Sequence, residues 1–320
     1  MQGEDNDFRV SDSKSISKIF LADRQGQTAT LERKSDDTWT VNEHYKARPD
    51  AIALLLKTLR EVRVRYSVVE AAKPQVDKML ATQGIKVEVY EGSSTPSKIF
   101  YVGTGTADQL GTYMYMEGAE KAYVTHIANW EGVLAPRFLT NLDDWRDRTL
   151  FAAPLEKIKE ASVEYSGSQS IYSFTCKVNG SNYELKPFLA STPAIQKPLV
   201  TGQVKSFLTA FENVGAEGWE TYNEKKDSVL HTSPFCTVSL TTTDNKTRSV
   251  SFYPIAGRLT DDTGSGLVGH ASIERYYLWV DKTDFMLGQH NVFKRIFWAY
   301  PAFFEAPKQQ AEGKTVPRKY

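Results

Sequence analysis

The densest run of reactive side chains in this sequence is Asp143-Asp144-Trp145-Arg146-Asp147-Arg148. Two carboxylates in one site can divide acid and base work when their surroundings separate their pKa values. A hydrolase using Asp143, Asp144 or Asp147 would need that separation. The interleaved arginines oppose it, because a neighbouring guanidinium favours the ionised carboxylate. Thr140 and Asn141, both of helix-capping type, precede the run. The run therefore predicts a capped helical turn carrying a charged network at the junction of two halves. On that reading Asp143, Asp144, Arg146, Asp147 and Arg148 form a contact surface and no catalytic centre.

Two glycine-bearing loops invite comparison with ligand sites. The segment Gly103-Thr104-Gly105-Thr106-Ala107-Asp108-Gln109-Leu110-Gly111 follows a strand, as a phosphate cradle does. A phosphate loop must open a helix, whose N–H groups and dipole hold the anion. Here the next residues, 112–116, read as a strand, so the loop is structural. The longer loop 256–272 carries Asp261, Asp262 and His270 among several glycines. Asp261 and Asp262 offer oxygens to a hard cation, but their spacing is not that of a calcium loop. This loop reads as a surface segment, with Asp261, Asp262 and His270 kept as candidate ligand or partner residues.

The five histidines are His44, His126, His231, His270 and His290. They form no His-Glu-x-x-His sequence and no pair at metal spacing. No Gly-x-Ser-x-Gly elbow and no Cys/His signature occurs. No catalytic residue, metal or cofactor is expected. Trp39, Trp145, Trp279 and Trp298 fall at core positions of the pattern, while Trp130 and Trp219 lie in less regular sequence. Trp130 joins the candidate surface, since exposed aromatics anchor partners. Cys176 and Cys236 sit in strand-like stretches near Phe174 and Phe235 and read as small buried hydrophobes. A single disulfide between them is neither required nor excluded, so they leave the redox compartment open.

The elements that would position these residues follow from periodicity. Residues 15–23, 28–33 and 39–41 read as three strands. Ile52, Leu55, Leu56, Leu59 and Val62 fall on one helical stripe after Pro49, which suits a first helical turn. A shorter helix covers about 74–82, with Gly84 as a left-handed cap. Alternating residues at 85–89, 99–102, 112–116 and 122–127 give four more strands, and 130–148 closes the unit with helical turns. Arg60, Arg63 and Arg65 form a short basic patch on or just after the first helix, read as a solvated face.

The same layout recurs downstream. Ile52, Leu55, Leu56 and Leu59 correspond to Val204, Phe207, Leu208 and Phe211, and Phe100-Tyr101 to Phe252-Tyr253. Each pair is separated by the same number of residues. Tyr123 and Val133 align at a slightly longer spacing with Tyr277 and Leu287. The expected fold class is α+β: two tandem, internally repeated antiparallel-sheet-plus-helix units. A striped helix covers one sheet face, and hairpin-rich alternation leaves the other wet. The expected division is a flexible tether over 1–14, units at 15–152 and 153–304, and a disordered tail over 305–320.

The chain has 320 residues, 41% hydrophobic, with 39 basic and 39 acidic side chains and a formal net charge of zero. That length suits two domains. Zero net charge argues against a dedicated nucleic-acid binder, which collects cations against phosphates. No apolar run reaches the ~18 residues of a membrane span. The start, Met1-Gln2-Gly3-Glu4-Asp5-Asn6-Asp7, has no signal-peptide core and reads as a tether shorn of an anchor or as the frayed start of a cytosolic protein.

Three strings carry a resemblance: Val41-Asn42 through Tyr45-Lys46-Ala47-Arg48-Pro49-Asp50-Ala51-Ile52, Asp108-Gln109-Leu110-Gly111-Thr112-Tyr113-Met114, and Asp144-Trp145-Arg146-Asp147-Arg148. The first half resembles the bacterial envelope family known as domain of unknown function 4340; the second half matches in layout. The resemblance implies an N-terminally anchored protein, a lipoprotein being one form of such an anchor, with its globular part on the periplasmic side. It also implies a setting near transporters of the gliding-motility type. It assigns no catalytic residue. The leading expectation is a non-catalytic envelope scaffold acting through a protein partner, with membrane association only through an anchor that this sequence lacks. A ligand-binding module using the inter-repeat cleft or the 256–272 loop is second, and a hydrolase third.

Overall fold

The computed structural model describes residues 5–256 and 273–304. Asp261, Asp262, His270 and the expected tail lie outside the described residues. The chain divides into two compact units, residues 1–148 and 149–320. Both are built of antiparallel sheet with few helices, an α+β architecture.

The first unit contains β1 (Lys18–Ala22), β2 (Thr28–Arg33), β3 (Trp39–Val41), β4 (Tyr45–Lys46), α1 (Pro49–Glu61) and β5 (Val62–Ser67). It continues with α2 (Lys73–Gln83), β6 (Ile85–Tyr90), β7 (Lys98–Gly105), β8 (Thr112–Met116), β9 (Tyr123–Ile127) and α3 (Leu142–Trp145). One sheet runs β4-β3-β2-β1-β6-β7-β8-β9-β5. The α1 stripe buries Ala51, Ile52, Leu55 and Leu59 against one face. Val62 is not on that helix; it is the first residue of β5, an edge strand antiparallel to β9. Arg63 and Arg65 thus lie on a strand.

The opposite face is not left wet throughout. Val76 and Leu80 of α2 pack there with Val124 of β9, beside the partly buried Tyr101, Tyr113 and Tyr115. Gly84 ends α2 at φ −66°, not in the left-handed region. A Cβ there would lie 2.3 Å from the Leu80 carbonyl oxygen, so close approach is what requires glycine. Residues 1–14 were expected to be a tether. Phe8 and Val10 are instead buried in the first core, and the Val10 N–H donates to the Leu59 carbonyl at 2.9 Å.

The second unit contains β10 (Thr149–Phe151), β11 (Ile158–Tyr165), β12 (Phe174–Asn179), β13 (Asn182–Pro187), α4 (Thr201–Thr209), β14 (Val214–Gly215) and β15 (Gly218–Trp219). It ends with α5 (Lys226–Leu230), β16 (Cys236–Thr242), β17 (Thr247–Ala256), β18 (Ile273–Val280), β19 (Asp284–Gln289) and α6 (His290–Phe293). Its main sheet runs β13-β12-β11-β16-β17-β18-β19-β15. β10 pairs with β14, so the second unit begins at 149, ahead of the expected 153. Val204, Phe207 and Leu208 of α4 are fully buried in its core.

Cys176 and Cys236 are free thiols in that core, on β12 and β16, which flank β11. Burial pushes Cys176 up to about 12 and Cys236 well above the ordinary thiol value of 9.0. The folded protein should therefore be inert to a thiolate-selective reagent at pH 8 and react at both cysteines in denaturant. A raised folded pKa gives stability that is complete below the unfolded pKa and is lost as pH rises toward the folded value. The Cys176 contribution should fall away between pH 9 and about 12, and Cys176→Ala should flatten that part of the pH–stability curve.

Candidate functional site

The predicted charged run is assembled on the first unit by backbone before it is assembled by charge. Asn141 caps α3, its side-chain oxygen accepting the Asp143 N–H at 2.9 Å. Trp145 is fully buried, and its indole N–H donates to the Leu139 carbonyl at 2.9 Å. That anchor fixes the residues that follow. The Asp147 N–H donates to the Lys46 carbonyl at 2.8 Å and the Arg48 N–H to the Trp145 carbonyl at 2.7 Å. An isolated bridge joins Ala47 to Arg146. The closing segment is thereby clipped along β4.

The side chains then pair across this clip. Arg146 meets Asp143 at 3.2 Å, Arg148 meets Asp144 at 3.8 Å and Lys46 meets Asp147 at 2.9 Å. The Arg146 guanidinium lies 4.3 Å over the Tyr45 ring. Arg48 pairs with Asp50 at 2.5 Å and also donates to the Asp144 carbonyl at 3.3 Å. The Arg48 hydrogen bond holds the Asp50 carboxyl below its ordinary value. Burial first, then repulsion from Arg48, lowers Arg148, although a guanidinium remains charged in any ordinary buffer.

Each of Asp143, Asp144 and Asp147 thus has a cationic partner. Acid–base work by two carboxylates needs surroundings that set them apart, whereas here each faces a cation. What the arrangement offers chemically is a surface of interleaved signs, ordered from beneath by Trp145. Tyr45, Lys46, Arg48 and Asp50 complete it, and the sequence reading did not assign them to the site. Two of the family-like strings meet here; the third forms the 106–111 turn and β8. That turn is tied by its own side chains, with Gly111 N–H donating to Thr106 Oγ1 at 3.0 Å and Leu110 N–H to Asp108 at 3.0 Å. It opens no helix and holds no cradle.

Trp130 stands apart from the charged run. It is 37% exposed, and the Arg137 guanidinium lies 4.1 Å over its ring. Among the described residues, no group of His, Cys, Asp or Glu side chains is placed to hold a metal ion. None of the described helices is long and apolar enough to cross a membrane.

The cap gives a direct test of this construction. Asn141→Ala removes the acceptor for the Asp143 N–H and should cost about 0.5–2 kcal/mol in chemical denaturation. Asn141→Asp restores a capping oxygen and should recover most of that loss.

A family model described as Domain of unknown function (DUF4340) matches residues 39–232. The match covers more than half of the chain and extends past the first unit, where the three strings end. No curated protein and no solved structure matches the chain.

Proposed function

We propose, for a chain that belongs to the DUF4340 family, a non-catalytic scaffold on the periplasmic side of a bacterial envelope, built as a duplicated unit and working by protein contact. The observation that carries this reading is the paired state of the charged run. Its carboxylates are held by Arg146, Arg148 and Lys46, and the exposed Tyr45 ring covers the buried Arg146 guanidinium. Tyr and Arg are enriched where contacts between proteins are strongest. Rim charges of both signs give specificity and register more than raw affinity. The hydrolase reading is less well supported, because it called for two of these carboxylates unpaired with Arg146 or Arg148, and Asp143 and Asp144 meet those arginines.

Strand order supports the duplication. The series β3-β2-β1-β6-β7-β8-β9-β5 and β13-β12-β11-β16-β17-β18-β19-β15 correspond member by member. In each, a helix intervenes between the third strand and the edge strand that closes the far side. The partner is taken to be an envelope protein of a transporter complex.

Photo-crosslinkers placed at Tyr45 and Trp130, each partly exposed, should capture an envelope protein in intact cells. A crosslinker at Tyr222, which is 92% exposed, serves as the control. Deleting the protein should impair assembly of the captured complex. Adducts no stronger than the Tyr222 control, together with unchanged assembly on deletion, would overturn the reading.

A further inference from the structure

We propose that the groove between α2 and the outer face of β7 and β8 binds a neutral saccharide. The groove encloses about 450 Å³ and lies wholly within the first unit. That is in the range of small-ligand sites, roughly 300–1,000 Å³, and has room for one or two sugar rings.

Tyr101 and Tyr115 line it, with ring centroids 6.1 Å apart and planes inclined by 37°. Their hydroxyls are already engaged. Tyr115 donates to the Ala119 carbonyl at 2.9 Å, and burial first, then the neighbouring Glu117, pushes the Tyr101 hydroxyl above its ordinary value, so that it stays protonated. What the two rings offer a ligand is therefore carbon surface. Aromatic carbon surface stacks well against the C–H face of a pyranose, because both are apolar and relatively flat.

The charges around that floor are of both signs. Arg24 lies 5.4 Å over the Tyr101 ring and reaches the Leu80 carbonyl at 3.5 Å, and Lys73, Asp77, Glu117 and Glu120 border the same space. None of these five forms an ion pair among the described residues. Neighbouring charges on the same sheet do pair, as Lys86 does with Glu88 at 2.7 Å. A ligand here can recruit Arg24, Lys73, Asp77 and Glu120 without breaking a salt bridge.

Interleaved signs select the ligand class. An anion or a cation entering the groove meets charges of its own sign as well as of the opposite one on the lining. A sugar hydroxyl is donor and acceptor at once. It can donate to Asp77 or Glu120 and accept from Lys73 or Arg24, so every rim group gains a partner from one neutral molecule. This inference does not rest on the scaffold reading: neither Tyr45 nor Trp130 lines the groove.

The test is saturation-transfer NMR on the full chain with cellobiose and N,N′-diacetylchitobiose as probes. Transfer to the ring C–H protons of at least one disaccharide is expected, with a Kd on the order of 1 mM. Asp77→Ala, at an exposed position, should weaken binding about fivefold or more. Tyr101→Ala should abolish it, whereas Tyr101→Phe, which keeps the ring, should retain it. If Tyr101→Ala does not fold, Asp77→Ala decides. Three outcomes would overturn the proposal: no transfer to either disaccharide at about 10 mM, binding unchanged in Asp77→Ala, or tighter binding of glucuronate than of the neutral sugars.

Discussion

Replacing Phe207 with Ala should lower the stability of the second unit by about 3–5 kcal/mol. The ring sits fully buried on α4 and touches three others almost edge-on: Phe174 and Phe211 at 5.2 Å and Phe303 at 5.5 Å. Removing it forfeits the transfer free energy of the ring and leaves a void. Its aromatic lining comes from β12, the residues just after α4 and the turn at Tyr300–Phe303, so no one element can collapse to fill it. Each lost edge-to-face pair also carries roughly 0.5–1.5 kcal/mol beyond its buried area. Phe207→Leu, which fills much of the same volume, should cost less. The measurement is urea denaturation followed by the fluorescence of Trp219, Trp279 and Trp298, all in the second unit. An unchanged midpoint would mean that α4 does not seat on the sheet through this stripe.

That stripe was legible in the sequence because a helix with one buried face writes a long, redundant pattern. The stripe of α1 gave the same signal, and so did β1 to β3 and β6 to β9. Beta-strand β5 was not legible. It follows Glu61 without a loop, so Val62 extends the helical periodicity by one more apolar position. Arg63 and Arg65 then look like the polar face of a helix rather than the outward side of a strand. Only pairing with β9, a non-local contact, decides between the two.

The later spacing joins Tyr123 of β9 to Tyr277 of β18, with residues 257–272 standing between β17 and β18. The cap and the ion pairs of the charged run are local features, because opposite charges interleaved after a capping residue constrain one another locally. Its partners Tyr45, Lys46 and Arg48 were invisible as partners. They are brought to Asp143–Arg148 by the clip along β4, across about a hundred residues of chain. The saccharide groove is the extreme case. Its floor comes from β7 and β8, its wall from α2 and its rim from two turns, with no local pattern linking them.

The sequence reading and the structure disagree most sharply at the N-terminus, and the disagreement is measurable. A tether over 1–14 predicts that Phe8→Ala costs nothing. The structure predicts a loss of about 3–5 kcal/mol from the first unit. Phe8 is 2% exposed and meets Phe100 at 5.8 Å and Tyr123 at 6.2 Å, both in edge geometry. Phe100 and Tyr123 belong to β7 and β9, so the ring wedges the inner face of the sheet where α1 ends. The backbone holds it there through the Val10 N–H on Leu59, and the Arg9 side chain donates to the Arg60 carbonyl at 3.0 Å. Lys98 adds a contact to Asp7 at 2.7 Å, but the Asp7 side chain is half exposed. Lys98 also donates to the Asp7 carbonyl, which survives substitution. Asp7→Ala should therefore cost no more than about 1 kcal/mol, and Phe8→Leu should fall between the two. Melting curves of the three variants separate the accounts. A large loss confined to Phe8 identifies a hydrophobic wedge, equal small losses a surface strap, and no loss a tether. The polar, acidic residues around Phe8 hid it, because a single aromatic carries no periodicity. Its role is set by the opening it fills at the end of α1, which exists only once β7 and β9 are paired into the sheet.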